Sequence, residues 1–205
     1  MNNIKKILCV VIVFLTFTSN AQDKTLVDAF TKSYEFEYAK KYEAAISELN
    51  KVYNSSSYEI NMRIGWLYLS ARKNKEAISY YRKAIDLMPA ATEPLWAIIT
   101  PLSTLENWAE VEKIYFSILK LDFKNSTANY KLGLIYYYRK DYIKAKKFFD
   151  VSLNLFPFNY NNLLMSAWTN YFLGNKNEAK ILFNKVLLYS PNDASAAEGL
   201  GLLNK

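Results

Sequence analysis

A chain of 205 residues with only 5 Gly and 5 Pro has few of the residues that a turn-rich β fold needs, and this composition predicts an all-α protein. It has no His and one Cys, so imidazole or thiolate metal sites, disulfide frameworks and Cys-His catalysis are excluded, and its net charge of +7 is only mildly basic. Its 12 Phe, 17 Tyr and 4 Trp exceed what a core needs and leave rings over for a surface.

Lys5 and Lys6 precede an apolar run from Ile7 to Phe17, and Thr18, Ser19, Asn20 and Ala21 follow with small residues where a signal peptidase reads. The run falls short of the roughly 20 residues a spanning helix needs. It therefore predicts a secretory signal peptide over 1–21, cleaved after Ala21. Cys9 lies inside the run, badly placed to carry a lipid, and leaves with it together with two positive charges. A mature chain without Cys suits an oxidising compartment: the periplasm, the cell envelope or the exterior. Export argues against nucleic acid as a partner and leaves an anionic envelope surface as a peripheral one.

The remaining chain reads as repeated helix pairs. The first spans about 26–57, with helices around Phe30 to Ala39 and Tyr42 to Tyr53, closed by Asn54-Ser55-Ser56-Ser57 without a Pro. The second, 58–91, carries Ile64-Gly65, Tyr68, Ala77, Tyr81, Ala84 and Pro89, with Asn74 expected to cap its second helix. The third, 92–125, has Ile99 and Val111 where small residues stand elsewhere, and Pro101 predicts a kink or an early end near Thr100. Asn107 with Glu110 then reads as a capping box. The fourth, 126–159, has Leu132-Gly133, Tyr136, Ala145, Phe149 and Pro157. The fifth, 160–193, keeps Ala167, Ala179, Phe183 and Pro191, with Asn175 and Glu178 as a second expected capping box. Asp193 is expected to cap a terminal helix over 194–205.

Two series share one register: Ala45, Ala77, Val111, Ala145 and Ala179, and Ser33, Gly65, Ile99, Gly133, Ala167 and Gly201. Paired helices approach closely only where one of them has little side chain, which is why such positions recur once per pair.

The Leu-Gly, Tyr, Ala, Phe and Pro spacing of 126–159 resembles the tetratricopeptide repeat, with Asn129 standing where that family most often has Trp. The resemblance implies a right-handed α-solenoid of about five helix-turn-helix repeats plus a C-terminal capping helix. It also implies that the first helix of each pair lines a concave groove. On this chain the groove positions are Phe30 and Tyr34; Met62, Trp66 and Leu69; Trp96; Tyr130, Leu134 and Tyr137; and Leu164, Trp168 and Tyr171. Two readings of this aromatic stripe stand open: core wedged between units, or exposed groove, with Trp66 and Trp168 the leading groove residues. The family's carboxylate clamp places Lys, Asn and Arg on these positions. Here only Arg63 and Lys131 stand near them, so that clamp is disfavoured.

Basic residues cluster where first helices end, at Lys40-Lys41, Arg72-Lys73 with Lys75, Arg139-Lys140 and Lys176, where they offset the helix dipole and keep an edge soluble. The sequence thus predicts a non-enzymatic exported scaffold or adaptor with no cofactor and no metal. Its partner is a protein or peptide with an apolar or amphipathic segment, met during envelope assembly or secretion. The alternative is an envelope glycan or small-ligand binder that uses the rings as stacking platforms, and the apolar terminal helix leaves self-association open.

Overall fold

The computed structural model describes residues 24–204, so the predicted signal peptide lies outside the described residues. Eleven helices and no strand occur among the described residues, arranged as the helix-turn-helix repeats of the α-solenoid class. The chain divides into two compact units between Glu106 and Asn107.

The first unit holds α1 (24–38), α2 (Tyr42–Asn50), α3 (Tyr58–Ser70), α4 (Asn74–Leu87) and α5 (Glu93–Thr104). From α2 onward each helix packs on the next. Its core is built by Ala45, Ile46 and Leu49 of α2 against Ile60, Ile64 and Leu67 of α3. The second unit holds α6 (Trp108–Leu121), α7 (Ser126–Tyr138), α8 (Tyr142–Leu155), α9 (Tyr160–Phe172), α10 (Lys176–Tyr189) and α11 (Ala194–Leu203). Here Leu163 and Ala167 of α9 meet Ala179, Leu182, Phe183 and Val186 of α10 and Ala196 of α11. Leu200 and Leu203 lie against this cluster, so α11 turns apolar surface inward.

The small-residue series marks real close approaches. A Cβ on Gly65 would stand 2.8 Å from the Tyr81 ring, and one on Gly133 would stand 2.6 Å from that of Phe149. In α11 the tight position is Gly199, at 2.2 Å from Phe183, while Gly201 meets nothing within 4 Å. Ala45, Ala77, Ala145 and Ala179 are all fully buried.

Three local expectations are corrected. Helix α5 runs past Pro101 to Thr104 rather than ending near Thr100: one amide donor is lost, but Ile98, Pro101 and Leu102 are buried together and carry the turn. Asn74 is the first residue of α4 rather than its cap, and no side chain caps that end. Asn175 does not pair with Glu178 either, because its amide donates to Asn170 Oδ1 at 3.0 Å. Asn107 and Asp193 do cap, accepting from the backbone N–H of Glu110 and Ala196. Asn129, in the place of the family's Trp, is buried and donates to the carbonyls of Phe123 and Asn125, tying the incoming loop to α7. Asn61 does the same at the head of α3 with the carbonyls of Ser55 and Ser57. A short amide thus replaces the ring.

Each first helix ends in a left-handed residue: Lys40, Arg72, Glu106, Lys140 and Gly174, with φ of 56, 61, 56, 60 and 77°. At four of these five turns the next backbone N–H bonds back five residues, as from Lys41 to Phe36 O and from Asp141 to Tyr136 O, which is the Schellman arrangement that favours Gly. Lys40, Arg72, Glu106 and Lys140 therefore hold a conformation that disfavours any Cβ. Arg72→Gly and Lys140→Gly are each expected to raise stability by about 0.5–1 kcal/mol. Gly174→Ala, in open space, should lower it by a similar amount. Urea midpoints measure all three, and a fall for both new glycines would contradict the assignment.

Candidate functional site

In the first unit the site begins with helical spacing. Phe30 and Tyr34 lie four apart on α1, as do Met62 and Trp66 on α3, so each pair shares a face. All four line one cleft of about 500 Å³ together with Tyr58, Arg63 and the carboxylates Glu59 and Glu93. Trp66 and Tyr34 are 50% and 45% exposed. Phe30 and Met62 are half-buried, and so are Leu69 and Trp96, which lie outside the cleft lining.

Arg63 is the pivot of this wall and is only 7% exposed. Its Nη1 pairs with Glu37 Oε2 at 2.6 Å, its Nε donates to Ser33 Oγ at 3.1 Å, and its guanidinium carbon lies 3.7 Å from the centre of the Tyr34 ring. Trp66 Nε1 donates to the other Glu37 oxygen at 2.6 Å. One carboxylate thus fixes both the buried cation and the exposed indole. The second guanidinium nitrogen, Nη2, is buried without an acceptor.

In the second unit the predicted groove residues divide. Trp168 is half-buried, its Nε1 donates to Ser195 Oγ at 2.9 Å, and its ring lies edge-on to Phe183 at 5.1 Å between centroids. Tyr171 lies beside it at 5.5 Å, and Leu164 packs on the same core. Tyr137 joins these rings through Phe172, 6.0 Å away. Tyr130 leans on Phe149 at 5.7 Å, and Leu134 is half-buried. The stripe in this unit is therefore bound into packing more than in the first.

Sequence reasoning missed Phe172 and Tyr142, whose rings stack at 4.7 Å, with Phe172 exposed. Their positions, at the end of α9 and the start of α8, lie outside the groove register. It also missed the exposed rings Phe123, Phe156 and Phe158, which follow the second helices, and Tyr189, the last residue of α10. Apolar residues at or just beyond a helix terminus, near the closing Pro157 and Pro191 in two of the repeats, were the available signal.

The basic clusters are partly spoken for. Lys73 pairs with Glu43 at 2.6 Å and Arg139 with Glu112 at 2.6 Å, while Lys40, Lys41 and Arg72 border a shallow cleft with Tyr42. Burial would raise the Glu112 carboxyl, but the Tyr136 hydroxyl and Arg139 outweigh it and hold the group below the usual carboxylate range.

Several phenols are held protonated. Tyr136 is pushed up to about 12 by its hydrogen bond to Glu112, Tyr81 and Tyr137 by burial, and Tyr58 by burial and then by the Glu93 carboxylate, which accepts a hydrogen bond from its hydroxyl at 2.9 Å. A folded-state pKa above the unfolded value means the unfolded chain loses its proton first, so this stabilisation is complete below pH 10 and is lost as pH rises toward 12. Unfolding free energy is therefore expected to fall across roughly pH 10–12, as urea titrations at stepped pH can follow. A flat profile there would contradict these environments.

Among the described residues no group of three or more Asp, Glu, His or Cys is placed to hold a metal, and no helix is long and apolar enough to cross a membrane.

The tetratricopeptide repeat family model matches residues 58–90, 126–159 and 160–193. Similar solved structures include a tetratricopeptide repeat protein from Parabacteroides merdae, with 22% identity over 88% of this chain and 72% of that chain and a TM-score of 0.70. MamA has 18% identity over 80% of this chain and 91% of its own, with a TM-score of 0.66. YrrB, described as a TPR protein with an unusual peptide-binding site, has 16% identity over 90% and 95%, with a TM-score of 0.67. No curated protein matches the sequence significantly.

Proposed function

Because the chain carries tetratricopeptide repeats, we propose that it is an exported protein-binding scaffold. It holds an apolar or amphipathic segment of another protein on the aromatic surface of its first helices, in support of assembly or secretion at a bacterial envelope. The observation that carries this reading is the cleft of the first unit, where four of the groove-register residues meet and Trp66 keeps half its surface open. The peptide-binding site of YrrB, a protein of similar fold, supports it by analogy. The leader at 1–21 supports export, and the mature chain is then expected to begin at Gln22, a residue that N-terminal sequencing of the cell-envelope fraction identifies. Recovery of an uncleaved Met1 end would remove the export step.

Crosslinking in intact cells, with identification of the joined polypeptide, tests the scaffold reading. Trp66→Ala is expected to weaken partner capture by about thirtyfold, the effect of losing a ~2 kcal/mol hot spot, while leaving the helical signal intact. Trp168→Ala is different in kind, because its ring is part of a core and its loss should lower stability as well. Undiminished recovery of the same partner by the Trp66 variant would sink the reading. Recovery of no polypeptide, joined with a fluorescence response to cell-wall fragments, would favour the glycan alternative.

A further inference from the structure

The cleft of the first unit has an electrostatic character that its aromatic lining does not imply. Arg63 is the one cation among its lining residues, and Glu37 already meets that charge at 2.6 Å. Glu59 and Glu93 remain on the wall, and the hydrogen bonds they accept come from hydroxyls: Ser57 Oγ to Glu59 at 3.0 Å and Tyr58 OH to Glu93 at 2.9 Å. Neither hydroxyl brings a positive charge, so the opening of the cleft is negative. The Tyr58 phenol is raised first by burial and then by its hydrogen bond to Glu93 and the Glu93 and Glu59 charges. Trp66 and Tyr34 add exposed ring surface, which attracts cations and accepts the aliphatic stem of a long basic side chain. Arg63 Nη2 is buried in the same wall, so this end of the guanidinium presents no open charge at the mouth of the cleft.

We propose that this cleft is the recognition point for a Lys or Arg side chain of the partner polypeptide, its charge set against Glu59 and Glu93 and its stem laid along Trp66. The proposal rests on the scaffold reading and narrows it: the bound segment is basic as well as apolar. The polarity is opposite to that of a carboxylate clamp, in which cations of the repeat protein hold an acid of the ligand.

The test is a random library of immobilised peptides, acetylated and amidated so that no terminal charge contributes, probed with the full mature chain. The same library is probed with the double variant Glu59→Gln/Glu93→Gln and with Trp66→Ala. Both carboxylates are exposed, and the amide oxygen introduced by Glu93→Gln still accepts from Tyr58, so the double variant should fold, as its thermal midpoint checks. The expected result is selection of peptides with Lys or Arg next to apolar residues, weakened about tenfold by the double variant and insensitive to it in about 1 M salt. Selection of basic peptides that the double variant retains would overturn the roles of Glu59 and Glu93. Trp66-dependent selection of neutral or acidic peptides would overturn the proposal and leave the scaffold reading standing. No selection at all would count against both.

Discussion

Phe149→Ala is expected to cost the second unit about 3–5 kcal/mol, the range for emptying a fully buried aromatic site. The ring is wholly inaccessible, lies against Tyr130, and fills the space that Gly133 leaves in α7. The collapse that could refill the void is limited, because α7 and α8 are already as close as a glycine permits. Gly133→Ala approaches the same contact from the other side. Its new methyl would lie 2.6 Å from two Phe149 ring atoms, so the ring must move inside a packed core. Overpacking of this kind costs about 1–3 kcal/mol, offset by up to ~1 kcal/mol of helix propensity. The combination Gly133→Ala with Phe149→Leu should be more stable than the sum of the two single changes, since the smaller side chain makes room for the methyl. Urea unfolding followed by circular dichroism measures all of these variants. A Gly133→Ala variant more stable than the parent would show that the helices part without cost.

Glu37→Ala should cost about 2–3 kcal/mol, more than an exposed carboxylate ordinarily would. The reason lies with its partner. Arg63 is almost wholly buried, and without Glu37 its charge would be left with the Ser33 hydroxyl and the Tyr34 ring alone. The expected cost sits below the usual range for a broken buried pair because the Glu37 side chain is 23% exposed. Arg63→Met removes the cation instead and also relieves the unpartnered Nη2. The double variant Glu37→Ala/Arg63→Met should therefore be no less stable than Glu37→Ala, so that the coupling in the double-mutant cycle is at least as large as the cost of Arg63→Met alone. Additive losses would mean that the pair is solvated and contributes little.

Much of the repeat architecture was legible from the positions of its smallest residues. A helix pair can close only where bulk is missing, so Gly65 under Tyr81 and Gly133 under Phe149 leave a periodic mark that any reading in steps of about 34 finds. Asn107 and Asp193 were also readable, because a cap needs only a short polar side chain at the right distance from a backbone N–H. Asn74 and Asn175 show the limit of that reasoning: a shift of one residue in the helix start, or a side chain turned toward another partner such as Asn170, removes the cap without changing the pattern. The candidate site was legible only in part. Periodicity identifies the face of a helix, while exposure depends on which neighbouring helix reaches that face. Trp66 and Trp168 occupy the same place in their repeats, yet the first keeps its surface and the second is bonded to Ser195 of α11. The Glu37–Arg63 contact joins residues of two different helices, distant in the sequence, and no local signal announces it.

The left-handed turns that end the first helices also bear on the order in which the protein assembles. A helix hairpin forms only when its turn residue enters the left-handed region. Glycine visits that region about as readily as the right-handed one, whereas a residue with a Cβ is there only a few per cent of the time. Gly174 gives the α9–α10 hairpin a turn that is often already in the required state, while Lys140 makes the α7–α8 hairpin wait for a rare one. Since neighbouring repeats propagate from whichever pair closes first, the second unit is expected to fold from its C-terminal hairpin toward α6, an order that pulsed amide exchange during refolding would read.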